Sequence, residues 1–136
     1  MSAKKALTRD LDVLLVVDDE PALPVRTTVA YAGNDPLVVT MTFMAADHGV
    51  RWTIARDLLW DGMKQSVGDG DVHVEPHEDG VHLLLHTPGG TAHFAIDVIE
   101  LAEFLGQTND IVGRGSEDPV LDDDLDRALA QLLGAA

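Results

Sequence analysis

Five of the six histidines in this 136-residue chain fall between His73 and His93. Imidazole is the side chain best suited to ligate a transition metal or carry a proton near neutral pH. His73, Glu75 and His77 alternate, so an extended strand puts all three on one face, and His82 and His86 share a face of the strand that follows. Two such strands side by side present four imidazoles and a carboxylate, the ingredients of a zinc or nickel site and so of a metal-dependent hydrolase. Against this, Pro76 is expected to disturb the strand before His77 can align. The solvated face of an antiparallel sheet is also an ordinary place for histidine. The expectation is a polar sheet face with no metal.

Other chemistry has less support. Asp69, Asp71 and Glu75 among glycines suggest a calcium loop, but the sixth position from Asp69 is Val74 where an EF-hand needs glycine, and the twelfth is Gly80 where it needs glutamate. Serine occurs only at Ser2, Ser66 and Ser116, none in a nucleophile elbow, and there is no phosphate-binding glycine loop. The chain has no cysteine, which excludes disulfides, thiol catalysis and thiolate metal sites. No catalytic residue and no cofactor are assigned. The most pointed polar pair is Arg56 and Asp71: a guanidinium at a strand-to-helix junction can fork onto a carboxylate and lock the Gly68 to Gly70 loop.

Strands and helices must position these groups. Leu11 to Val17 and Val25 to Ala32 are apolar and β-branched, and Asp18-Asp19-Glu20-Pro21 and Gly33-Asn34-Asp35-Pro36 are breaks that follow them. Val38 to Met44 and Val50 to Ile54 continue an antiparallel meander, because links this short cannot make parallel crossovers. From Arg56 to Lys64 the period changes, with Leu59 and Met63 four apart, which predicts a short helix ended by Gly68 and Gly70. Strands near Val72 to Glu75, Val81 to Thr87 and Thr91 to Ala95 follow, then a helix over Val98 to Leu105 capped by Asp97. Leu121, Leu125, Leu129 and Leu132 recur at helical spacing behind three acids, predicting a C-terminal helix over residues 121–134 that packs within the chain, packs on a neighbouring subunit or contacts a partner. The expected fold is α+β in one domain, residues 1–136: a bent antiparallel sheet of about seven strands with packed helices, ordered ββββα-βββα-α, after a flexible stretch at residues 1–10.

The order of residues in the middle of the chain is distinctive. Trp52, Arg56-Asp57-Leu58-Leu59, Gly62, Gly68, Gly70-Asp71-Val72 and Pro76 resemble the central pattern of the SsgA-like family of actinobacterial sporulation and cell-division proteins. The likeness continues at Leu23-Pro24-Val25, Asp35-Pro36, Phe104-Leu105, Thr108, Val112, Gly115 and Glu117, and the two ends of the chain resemble the SsgB branch. Ile54 departs from the family where an aromatic is common, as does Gly113 where proline is common. The resemblance implies a Whirly-like, homotrimeric fold and a non-enzymatic regulator of sporulation-specific division. It implies cytoplasmic work at division septa, helping to position FtsZ, with FtsZ and other division or SsgA-like proteins as partners.

Charge narrows the partners further. Nine basic against 24 acidic residues give a formal net charge of −15, a surface that repels polyanions at range. Lys4, Lys5 and Arg9 precede no apolar run of signal or membrane-span length. Single-stranded nucleic-acid binding, the alternative raised by the Whirly analogy, is therefore opposed by charge, since fold likeness alone carries no function. Fluorescence anisotropy with short single strands should detect negligible binding at physiological salt; tight, salt-sensitive binding would contradict this.

Overall fold

Every second residue of the first strand, from Leu7 to Leu15, turns away from solvent. The computed structural model describes residues 5–18, 20–45 and 47–115. In it β1 spans Ala6–Leu15, with Leu11 and Val13 buried between exposed Asp10, Asp12 and Leu14. β2 (Leu23–Ala32), β3 (Val38–Ala45) and β4 (His48–Ala55) follow as an antiparallel meander, and α1 (Arg56–Gly62) closes this half. The second half repeats the order with β5 (Val67–Asp69), β6 (Val72–His77), β7 (Gly80–Thr87), β8 (Gly90–Ile96) and α2 (Val98–Ile111).

The eight strands form one curled antiparallel sheet in the order β4-β3-β2-β1-β8-β7-β6-β5. Its two halves are joined where Val13, Leu14 and Leu15 of β1 pair with Ile96, Ala95 and Phe94 of β8. Ahead of that junction the edge of β1 turns to α2: the Asp12 amide donates to Glu100 Oε1 at 2.7 Å, and Arg9 reaches Glu103 at 3.8 Å. The helices cover the face that holds the core, where Leu59 of α1 and Leu101, Phe104 and Leu105 of α2 are fully buried against Val29, Met41, Ile54, Val74, Leu83 and Ile96. Phe43 and Phe94, one from each half, stack at 4.2 Å between centroids.

Several expectations change. There are eight strands and not seven: Val67-Gly68-Asp69, read as a helix-ending break, pairs with Val72 to Val74, so Gly68 lies in a strand and the second half completes the ββββα order of the first. Residues 6–10 belong to β1, because pairing with Thr28 to Ala32 of β2 holds their backbone irrespective of their polarity. α2 runs six residues beyond Leu105, since Thr108 is buried as a further inward position of the same helix. Asp97 caps it as expected, accepting from the Glu100 amide at 3.0 Å. The C-terminal helix with Leu121, Leu125, Leu129 and Leu132 lies outside the described residues.

Two glycines are fixed by geometry. Gly70 begins the two-residue turn between β5 and β6 at φ +59°, a left-handed conformation that side chains disfavour. Gly62 is set by contact: a Cβ there would lie 2.1 Å from Cγ1 of buried Val74, so only glycine lets α1 rest on β6. Gly70→Val should lower the unfolding free energy by about 1–3 kcal/mol through backbone strain, read from urea titrations. Gly62→Ala should cost about 1–3 kcal/mol through overpacking, despite alanine's advantage of about 1 kcal/mol in a helix. Val74→Ala in the Gly62→Ala background should then be less damaging than Val74→Ala alone.

Candidate functional site

The junction of β4 and α1 carries the densest group of distinctive residues. Arg56 is the first residue of α1 and is fully buried, at 0% exposure. Its Nη1 donates to the Val112 carbonyl at 2.7 Å and to Thr108 Oγ1 at 3.3 Å, while Thr108 donates in turn to the Leu105 carbonyl at 2.6 Å. The guanidinium also sits over the Tyr31 ring, 5.1 Å from its centroid. A cation at the C-terminal end of α2 complements the helix dipole and satisfies carbonyls that the helix leaves open. The expected partner, Asp71, is not involved. It lies exposed in the β5–β6 turn, where its carbonyl accepts from the His86 amide at 2.8 Å, because the turn and the end of α2 are separate places in the fold.

The neighbouring residue of α1 makes the matching outer contact. Arg114 donates from Nε to Asp57 at 2.9 Å and from Nη2 to Asp61 at 2.6 Å, and its guanidinium lies 5.7 Å from the Trp60 ring centroid. The hydrogen bond to Asp61 is the largest influence and raises the Arg114 pKa; desolvation opposes it, and the bond to Asp57 adds to the rise. α1 is thus tied to the end of α2 from inside by Arg56 and from outside by Arg114. Nothing local in the sequence marks Arg114 or Tyr31, which come from distant segments.

The other residues of the central pattern serve packing. Leu59, Phe104 and Leu105 are core, and Trp52, Leu58 and Val72 are half-buried against it. Pro76 is exposed. The β5–β6 pairing ends at Val74, so Pro76 lies on a free stretch of β6 where a missing amide hydrogen is tolerated. For the same reason β6 continues to His77, contrary to the expected break.

That continuation assembles the histidines. Glu75 faces His82 across β6 and β7, His77 faces Gly80, and Leu84 faces both His73 and His93, so these groups share the sheet face opposite the core. His82 is only 6% exposed. Its Nδ1 lies 2.6 Å from His93 Nε2 and its Nε2 lies 2.7 Å from Asp79 Oδ1. His77 stacks on His82 at 3.8 Å between centroids and contacts Glu75 at 2.5 Å. The His77 hydrogen bond lowers the Glu75 pKa and the His82 hydrogen bond lowers that of Asp79, while burial and the nearby imidazoles lower that of His93. His86 is apart from the group, bonded to Thr91 at 2.9 Å. Asp79 was not singled out in the sequence, although its position between His77 and His82 around a turn is a usable signal.

One arrangement looks superficially catalytic. Ser66 Oγ lies 2.9 Å from His73 Nε2, and Glu75 Oε1 lies 3.1 Å from the same nitrogen. A serine relay needs the carboxylate on the other ring nitrogen, so that one imidazole can accept from serine while its second nitrogen is held. Both partners here compete for Nε2, and Nδ1 lies over Gly68. No helix among the described residues is long and apolar enough to cross a membrane.

Fold and site together define a two-half ββββα domain whose signature residues join helices to sheet. Known proteins agree. A family model described as Streptomyces sporulation and cell division protein, SsgA, matches residues 25–117. The sporulation-specific cell division protein SsgB of Frankia casuarinae is 38% identical over 129 residues, spanning 91% of this chain and 90% of that protein. SsgB of Streptomyces coelicolor is 37% identical over 129 residues, spanning 91% and 93%. The crystal structure of an SsgA-like sporulation-specific cell division protein from Thermobifida fusca superposes with a TM-score of 0.82 at 32% identity, covering 94% of this chain and 97% of that one. The chain belongs to the SsgA-like family of sporulation and cell-division proteins, within its SsgB branch.

Replacing Arg56 tests the junction directly. Arg56→Ala should cost about 3 kcal/mol in urea unfolding, since it opens a cavity and leaves the Thr108 and Val112 acceptors without their donor. Arg114→Ala, which removes only exposed pairs, should cost less than about 1 kcal/mol.

Proposed function

We propose that this protein is a non-enzymatic regulator of sporulation-specific cell division that works by assembling with other proteins. The observation that carries it is family membership across nearly the whole chain, with relatives named sporulation-specific cell division proteins. The site chemistry is in keeping: the signature residues are occupied in holding the fold, and the Ser66–His73–Glu75 contacts have the wrong connectivity for a relay.

In this reading the chain forms a homotrimer of Whirly-like subunits and helps to position FtsZ at septation sites. The sheet is open, with β4 and β5 as its outer strands, and large apolar side chains stand exposed at Met44 and Val50 of the β3–β4 hairpin and at Val98 and Ile99 of α2. Such surfaces suit subunit or partner contact. A net charge of −15 gives no long-range attraction to an acidic partner, so the interaction is apolar or mixed and tolerates salt. The pattern residues from Trp52 to Pro76 act as its scaffold, and the C-terminal leucines Leu121, Leu125, Leu129 and Leu132 supply subunit or partner contacts.

The deciding experiment is deletion in the sporulating host with septa imaged by a fluorescent division protein. Septum placement should be disturbed and restored by the wild-type chain; normal placement in the absence of this chain and its paralogues rejects the division role. Sedimentation should give a single trimeric species, and capture of purified FtsZ should persist at moderate salt. A strict monomer rejects the trimer, and salt-sensitive or absent capture rejects the proposed mode of contact.

A further inference from the structure

The β6–β7 hairpin brings three ligating side chains to one point. His77, Asp79 and His82 each place a ring nitrogen or carboxylate oxygen within 4.8 Å of the other two. His77 ends β6, Asp79 lies in the turn and His82 is the third residue of β7, so the register that pairs His77 with Gly80 and Glu75 with His82 also fixes their spacing. We propose that this hairpin binds one divalent transition-metal ion of the zinc class through His77, Asp79 and His82.

The donor set selects the ion. Two imidazoles and one carboxylate suit zinc, nickel or copper, whereas magnesium and calcium require oxygen ligands almost throughout. Three protein ligands leave a fourth position to solvent or to Glu75, whose Oε2 already lies 2.5 Å from His77 Nε2. The outer contacts needed to hold such ligands are present. His93 Nε2 engages His82 Nδ1 at 2.6 Å, which fixes the buried ring and directs Nε2 to Asp79. In the metal-free protein His82 Nε2 and Asp79 Oδ1 are hydrogen-bonded at 2.7 Å. The ion takes the place of the bridging proton, which is released to solvent, and the two atoms separate to roughly 3.4 Å, the spacing of two ligands on a tetrahedral ion. His77 must tilt out of its 3.8 Å stack on His82 so that its lone pair points at the metal. With its side chain 41% exposed at the end of β6, it has room to do so.

The test uses the full chain, purified without a histidine tag and stripped by a chelator, titrated calorimetrically with zinc chloride and separately with magnesium chloride. One zinc per chain should bind and raise the melting temperature, and magnesium should not bind. His77→Ala and Asp79→Asn, both at the exposed end of the hairpin, should each weaken zinc binding by at least roughly 10-fold while the metal-free melting temperature stays at the wild-type value. His86→Ala, at the far end of β7, should leave zinc binding unchanged. No stoichiometric zinc binding at micromolar metal, binding that survives both hairpin substitutions, or an equal loss in His86→Ala would overturn the proposal.

Discussion

The position of both helices depends on one buried cation. Withdrawing a guanidinium from water costs several kcal/mol, and Arg56 is fully withdrawn. The fold offsets this with the Val112 carbonyl, the Thr108 hydroxyl, the dipole at the end of α2 and the face of Tyr31. These partners come from β2 and from the end of α2, so Arg56 is stable only when the two halves of the domain are already in register. Apolar packing seats α1 on β6 at Gly62 and Val74, and a donor that must meet a particular carbonyl adds direction to that fit.

That constraint explains the shape of the sheet. Within the sheet, among the described residues, the halves are paired at three positions of β1 and β8, and the helices and the Phe43–Phe94 stack add the other contacts between them. α2 fills the divergence beside β1 through Glu100 and Glu103, and Arg56 holds its far end to the first half. Leu101, Phe104 and Leu105 can then be buried without a gap.

The opposite face of the second half is free of this duty. Its polar alternation is the complement of the core alternation on β6 to β8, and it gathers Glu75, His77, Asp79, His82 and His93. An imidazole as buried as His82 on an outer face is held by neighbours and not by the core.

Much of this was readable from residue order. Apolar, β-branched runs located the four strands of the first half, although β1 was placed five residues late at its start, Asp97 marked the start of α2, and the pattern from Trp52 to Pro76 pointed to the family. These succeed because strand propensity and capping are local. β5 was missed because Val67-Gly68-Asp69 has no strand propensity of its own and exists through pairing with β6. Arg56 was given the wrong partner, and Pro76 the wrong consequence, for a related reason. A buried donor is satisfied by whatever acceptor the packed chain brings to it, here 52 to 56 residues away, and a proline's cost depends on whether another strand needs its amide. Sequence alone determined most of the elements and the kinship. Which groups meet across the sheet, at Arg56 and among the histidines, was decided only by tertiary structure, since those contacts join residues that no local spacing relates.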